Sequence, residues 1–166
     1  PMNAIIGLSY LTLQTELDSK QRNYVEKVHY SAESLLGIIN DILDFSKIEA
    51  GQLEIEKTDF HLEDVFNNLA NLLGLKAEEK KLELMFDLSA QLPFTLLGDP
   101  LRLTQILLNL GNNAVKFSEQ GNIIIKAELR EENEQQVKLY FSIRDTGVGL
   151  TLEQQKRLFK SFSQGD

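Results

Sequence analysis

The sequence predicts an α+β protein: a helical hairpin that pairs into a dimeric four-helix bundle, followed by an α/β sandwich. Three observations carry this. From Met2 to about Ile48, apolar and small residues recur in steps of three and four, interrupted by a turn and cap at Asp18-Ser19. Strand-like alternation runs from Gly121-Asn122 through Ile123, Ile125, Ala127 and Leu129, and again over Val137 to Arg144, with the charged turn Glu131 to Gln136 between. Between these regions, amphipathic helices alternate with short strands, an order that places helices on one face of a sheet. Gly51 is a helix stop and divides residues 1–50 from 51–166.

In the hairpin, Met2, Ile5, Ile6, Ser9 and Leu13 mark the face of a helix ending near Thr15. The second helix carries Val25, Val28, Ala32, Leu35, Ile39 and Ile42 as a heptad seam, widened by Leu36 and Leu43. At roughly 28 residues it would be about 40 Å long. A stripe so long and apolar needs a partner, and two hairpins facing each other supply one. The alternative is a monomeric hairpin packed on its own chain. Beyond Gly51, Leu53, Ile55 and Lys57 alternate with polar residues and predict a strand. Leu62, Val65, Phe66, Leu69, Leu72 and Leu73 predict a helix from His61 to about Lys81. Leu82 to Leu88 reads as a strand, and Pro93 to Leu97 as a loop or short strand.

Composition narrows the function classes. With 42% hydrophobic and 25% charged residues, the 166-residue chain is of ordinary globular type. It contains no run of about 18 apolar residues, so no membrane span is expected in this segment. The absence of cysteine fits a reducing compartment and removes disulfide and thiol chemistry. A net charge of −8 without a basic cluster argues against nucleic acid as a partner. The chain opens on Pro-Met-Asn within a helical pattern and stops at Gly-Asp within a motif, as a segment of a longer protein would.

Chemistry concentrates at Gly98 to Ser118. Asp99 before Pro100 is a capping carboxylate with proline at the first helical position. Leu103, Ile106, Leu107, Leu110 and Ala114 form the apolar face that follows. Asn109, Asn112 and Asn113 sit beside it despite being mediocre helix formers. Asn109 and Asn113 lie one turn apart and project from the same side. A single asparagine would read as part of a wet helix face. Three favour use of the amides, whose oxygens suit a hard cation such as Mg2+, while Lys116 suits phosphate.

A second concentration follows the last strand: Arg144-Asp145-Thr146-Gly147-Val148-Gly149-Leu150. Alone, Gly-x-Gly reads as a surface turn. At a strand end, however, a carboxylate can accept from an exocyclic amine, and two glycines allow close approach of backbone to a ligand.

The Gly98–Ser118 segment resembles the N box of sensor histidine kinases, matching it at Asp99, Arg102, Leu103, Gln105, Leu107, Asn109, Leu110, Asn113, Ala114, Lys116 and Phe117. Residues 145–149 resemble the G1 box, Asp-x-Gly-x-Gly, of the superfamily that includes gyrase and MutL ATPases. Leu158 to Gln164 looks like the F box, with Phe159 and Phe162 as packing residues of a lid. Asn40 to Gly51 resembles the end of the dimerisation and phosphotransfer domain of hybrid-type members, and Pro1 to Gly7 the residues just after its Ser-His-Glu-Ile-Arg-Thr-Pro motif.

The resemblance implies ATP and Mg2+ as ligands and a gyrase/histidine kinase-type ATP-binding fold over 51–166. Asn113 and Asn109 would hold the metal, with Asn113, Lys116, Phe117, Asp145, Gly147 and Gly149 binding nucleotide. Asp145 would take the adenine amino group, and Lys116 and Asn109 would act at the transferring phosphoryl group. Where ATP-hydrolysing members carry a general-base glutamate, this chain has Asn109, which cannot take a proton and so favours transfer to a separate nucleophile. The implied reaction passes the ATP γ-phosphoryl to a histidine upstream of Pro1 and then to a receiver aspartate. With that histidine and the glycine-rich G2 lid outside it, this chain alone is expected not to label itself. The implied partners are a second copy and a response-regulator receiver, in a cytoplasmic segment whose parent the inner membrane can anchor. A non-catalytic nucleotide-sensing module or a dimerisation scaffold that binds a receiver are the other classes.

The two histidines read as structural. His29 lies beside the seam and is followed by Tyr30-Ser31, without the acidic neighbour and downstream proline of a phosphoacceptor. His61 stands at a helix start. Neither a P-loop nor a strand-to-helix Gly-x-Gly-x-x-Gly occurs.

Overall fold

A computed structural model describes residues 1–157, and its contacts divide the chain into two units, Pro1–Glu54 and Ile55–Asp166. The first unit is a helical hairpin of α1 (Met2–Leu13) and α2 (Ser19–Glu49). Asp18 starts α2 with a reciprocal cap: its carboxylate accepts from Gln21 N at 2.8 Å, and Gln21 Oε1 accepts from Asp18 N at 3.1 Å. The 31 residues of α2 span about 46 Å.

The apolar stripe on α2 divides between two directions. Val25, Ala32 and Leu36, with His29 among them, are buried or half-buried, as are Met2, Ile6, Ser9 and Leu13 on α1. These positions close the hairpin. Val28, Leu35, Ile39, Ile42 and Leu43 are exposed, so most of the predicted seam faces away from α1. His29 is held in the hairpin, its Nδ1 2.9 Å from Ser9 Oγ and its Nε2 3.4 Å from Glu33 Oε1. An acidic neighbour is therefore present one turn along the helix, contrary to the expectation drawn from its adjacent residues.

The second unit is built from β1 (Thr58–His61), α3 (Leu62–Glu79), β2 (Glu83–Leu88), β3 (Thr95–Gly98), α4 (Pro100–Phe117), β4 (Asn122–Glu132), β5 (Val137–Asp145) and the short α5 (Leu152–Arg157). β4 is the centre of a three-stranded sheet, parallel to β2 and antiparallel to β5. Its alternation holds from Ile123 to Glu128: Ile123, Ile125 and Ala127 have no exposed surface, while Lys126 and Glu128 form an ion pair on the other face. Leu62, Val65, Phe66, Leu69 and Leu73 of α3 and Leu107 of α4 pack over Ile125 and Ala127. Ala114 and Val115 of α4 pack with Ile123, Ala77 and Leu82. The fold is thus a helical hairpin followed by an α/β sandwich.

β1 and β3 pair separately, with Thr58 opposite Gly98. The strand predicted over Leu53, Ile55 and Lys57 does not form. The ladder stops at Gly98 because Pro100 begins α4, and Asp99 is occupied as its cap. Glu56 N therefore donates to Asp99 Oδ2 at 3.1 Å rather than to a strand carbonyl, and Ile55 is exposed. The turn between β4 and β5 is shorter than predicted, because β4 runs on to Glu132, while β5 begins at Val137 as expected. Asn133 closes it, its Oδ1 accepting from Gln135 N and Gln136 N at 2.9 and 2.8 Å.

Candidate functional site

The site is made by two chain segments that meet at the end of a helix. Asp99 fixes the start of α4, accepting from Arg102 N at 3.0 Å. That hydrogen bond, ahead of the one from Glu56 N and the Arg102 charge, holds the Asp99 carboxyl below the usual carboxylate range. From this start, the helical repeat carries Asn109, Asn113 and Lys116 to an exposed face. Lys116 Nζ lies 5.1 Å from the centre of the Phe117 ring.

The three asparagines separate by role. Asn112 Oδ1 accepts from Lys76 Nζ of α3 at 2.7 Å, so that amide ties the two helices together. Asn109 and Asn113 have exposed side chains, flanked by the exposed apolar residues Ile106, Leu110 and Phe117.

The turn after β5 docks on the last residues of α4. Phe117 O lies 3.4 Å from Val148 N. A β-carbon added to Gly147 would sit 2.5 Å from that same oxygen, so only glycine allows the approach. Gly147 N donates to Asp145 Oδ1 at 2.8 Å, holding the carboxylate at the strand end. Its other oxygen has no partner among the described residues. Thr146 completes the junction: its hydroxyl donates to Gln120 O at 2.8 Å and accepts from Asn122 N at 3.1 Å. Gly149, with φ of +69°, turns the chain away through the left-handed region. Val148, 83% exposed, and Leu150 are exposed apolar residues of this turn.

The structure therefore brings Asn113, Lys116, Phe117, Asp145 and Gly147 to one junction, with Asn109 one turn back along α4. The segment read as the F box lies outside the described residues. Thr146 was not singled out by sequence reasoning, although its place between Asp145 and Gly147 was the available signal. His61 lies away from the junction, its Nδ1 3.3 Å from Thr95 Oγ1 in the β1–β3 pair.

The donor set fits Mg2+ of the kind shared with phosphates. Among the described residues no group of three His, Cys, Asp or Glu side chains gathers to form an all-protein cage. Neutral amide oxygens beside a lysine suit a cation whose remaining ligands are water and phosphate.

Residues 1–51 match the His Kinase A (phospho-acceptor) domain, and residues 98–166 match the histidine kinase-, DNA gyrase B-, and HSP90-like ATPase family. The whole chain is 46% identical to the sensor histidine kinase GacS of Pseudomonas protegens and 45% identical to the signal transduction histidine-protein kinase BarA of Escherichia coli. It spans 18% of the length of each of these relatives. Among solved structures, full-length ShkA in complex with AMPPNP superposes over 99% of this chain and 34% of its own, with a TM-score of 0.76 and 35% identity. Histidine kinase AdeS of Acinetobacter baumannii shares the fold over 96% of this chain and 76% of its own, at a TM-score of 0.66 and 21% identity. With both domain families present in order and relatives matched along its full length, the chain belongs to the sensor histidine kinase family.

Proposed function

We propose that this chain is the core of a two-component histidine kinase, which binds ATP and supports transfer of its γ-phosphoryl group to a histidine preceding Pro1. The observation that carries this reading is the docking of turn 145–149 on the end of α4 through Phe117 O and Gly147. It places a carboxylate suited to the adenine amine beside a helix end that carries Asn113 and Lys116.

Asp145, oriented by Gly147 N–H, accepts from the exocyclic amine, while Gly147 and Gly149 keep backbone rather than side chain beneath the base. Lys116 offsets phosphate charge. Asn113 and Asn109 would hold Mg2+, which when bound neutralises charge on the phosphate oxygens. At the γ-phosphorus, the bond to the β–γ bridging oxygen breaks as a bond to an imidazole nitrogen forms, and ADP leaves. Asn109 cannot deprotonate a water, which suits transfer to a separate nucleophile rather than hydrolysis. The phosphohistidine then gives its phosphoryl group to an aspartate of a receiver domain.

The exposed faces of α1 and α2 supply the second partner, another copy of the chain. Leu8, Leu11, Leu35, Ile39 and Ile42 would be covered in a four-helix bundle. No helix among the described residues is long and apolar enough to cross a membrane, and we place this segment on the cytoplasmic side, where ATP is available.

Calorimetry with ATP and GTP, with and without Mg2+, tests the site. Asp145→Ala should remove the preference for ATP, since a buried amine then lacks its acceptor. Asn113→Ala should remove the Mg2+ dependence. Equal binding of ATP and GTP both before and after the Asp145 change would defeat the assignment.

A further inference from the structure

Asn113 and Lys116, which the proposed reading sets toward Mg2+ and phosphate, stand near the C-terminal end of α4, which is electrostatically the wrong end of a helix for an anion. Aligned peptide dipoles leave about half a negative charge there, on carbonyls without helical partners. One side chain from another element meets those carbonyls. Lys80 Nζ donates to Val115 O at 2.8 Å, Lys116 O at 2.9 Å and Ser118 O at 3.3 Å, matching three acceptors to the three protons of an ammonium.

Lys80 is itself held firmly. It is the C-cap of α3, where Lys80 N and Leu82 N both bond to Ala77 O, at 3.1 and 2.9 Å. Lys81 takes a left-handed φ of +57° to close that turn, and Leu82 and Ala77 on either side are buried in the core. The carbonyls Lys80 grips flank Phe117, whose own oxygen receives the turn after β5.

We propose that Lys80 is a positioning residue for nucleotide. It neutralises the negative end of α4 and fixes its last turn, so that Asn113 and Lys116 can receive a triphosphate beside Asp145. The proposal rests on the nucleotide reading above. It makes a distinction that a merely structural role would not: the phosphates depend on Lys80, and the base does not.

Titration of the full chain by calorimetry with Mg2+-ATP and, separately, adenosine tests this, with thermal melting to confirm folding. Lys80→Met keeps the apolar stem and removes the charge. ATP affinity should fall by about tenfold or more, while adenosine affinity, set by Asp145, stays unchanged. Lys80→Arg should restore most of the ATP affinity. Lys80→Gln, a second variant should the Met variant not fold, keeps a donor without charge and should lose ATP affinity with the same selectivity. Parallel losses for ATP and adenosine, or no loss of ATP affinity in a folded variant, would overturn the positioning role alone. Failure of the unmodified chain to bind ATP would overturn the nucleotide reading and this proposal with it.

Discussion

Replacing Gly147 with alanine is the sharpest perturbation of the junction, because the nearest atom in the way belongs to backbone. The added methyl would lie 2.5 Å from Phe117 O, 3.0 Å from Phe117 C and 2.8 Å from Asp145 Oδ1. A side chain could rotate aside; the carbonyl of a helix end packed over Ile123 cannot. The turn must retreat by at least about half an ångström, which close-packed interiors resist. Overpacking of this kind costs about 1–3 kcal/mol. At about 4 °C per kcal/mol for a unit of this size, the melting temperature should fall by about 4–12 °C. The same retreat pulls Asp145 from the hydrogen bond that orients it, so ATP affinity should fall by about tenfold or more. Gly149→Ala is the control for stability: nothing lies within 4 Å of its added methyl, and only the positive φ is penalised, at about 1–2 kcal/mol. Calorimetric melting and ATP titration of both variants decide the matter. A Gly147→Ala protein that melts with or above the parent, or that keeps the parent's ATP affinity, would refute the docking described here.

Three further outcomes follow from other parts of the molecule. Leu35→Glu or Ile39→Glu puts a carboxylate on the exposed seam of α2, and light scattering across a range of concentrations should show a dimer replaced by a monomer; a parent chain that stays monomeric would refute the bundle. Ser118 is fully buried and its Oγ has no partner among the described residues, so Ser118→Ala should stabilise by about 1 kcal/mol in denaturant melts, and a loss would show that the hydroxyl has a partner. Asp99 has its pKa depressed in the folded chain, chiefly by the bond from Arg102 N–H. Its contribution is present above the unfolded carboxyl pKa of about 3.9 and is lost as pH falls through the lower folded value. Asp99→Asn should therefore flatten the acid limb of the melting temperature against pH, and an unchanged acid limb would count against the cap.

Legibility in the sequence followed how local the cause was. The start of α4 was readable because Asp99 and Pro100 act within one turn, and β4 and β5 because alternation of period two needs no knowledge of a partner. The alternation at Leu53, Ile55 and Lys57 was equally regular, yet the strand began at Thr58, since its partner β3 is cut short by the α4 cap. On α2, steps of three and four marked apolar positions without saying which neighbour each would meet. Val25 and Ala32 turned to α1 while Leu35 and Ile39 did not. At the site, spacing put Asn109 and Asn113 on one exposed side, but the engagement of Asn112 depends on Lys76, 36 residues earlier. The docking of Gly147 on Phe117 is likewise a long-range contact, and no local pattern announces it.

The mixed pairing of β4 has a consequence for how the chain reaches this state. With β5 it forms a hairpin closed by a four-residue turn, a local event of the microsecond class. With β2 it is parallel, joining Glu83 to Asn122 across nearly forty residues that include all of α4. Closing so long a loop costs chain entropy before any contact repays it. Asp145 rides on the strand of the local hairpin, whereas Asn113 and Lys116 ride on the long segment that the parallel pairing must close. Nucleotide affinity during refolding would thus serve as a clock for the slow step. It would rise not with the first sheet signal but with docking of the crossover helix.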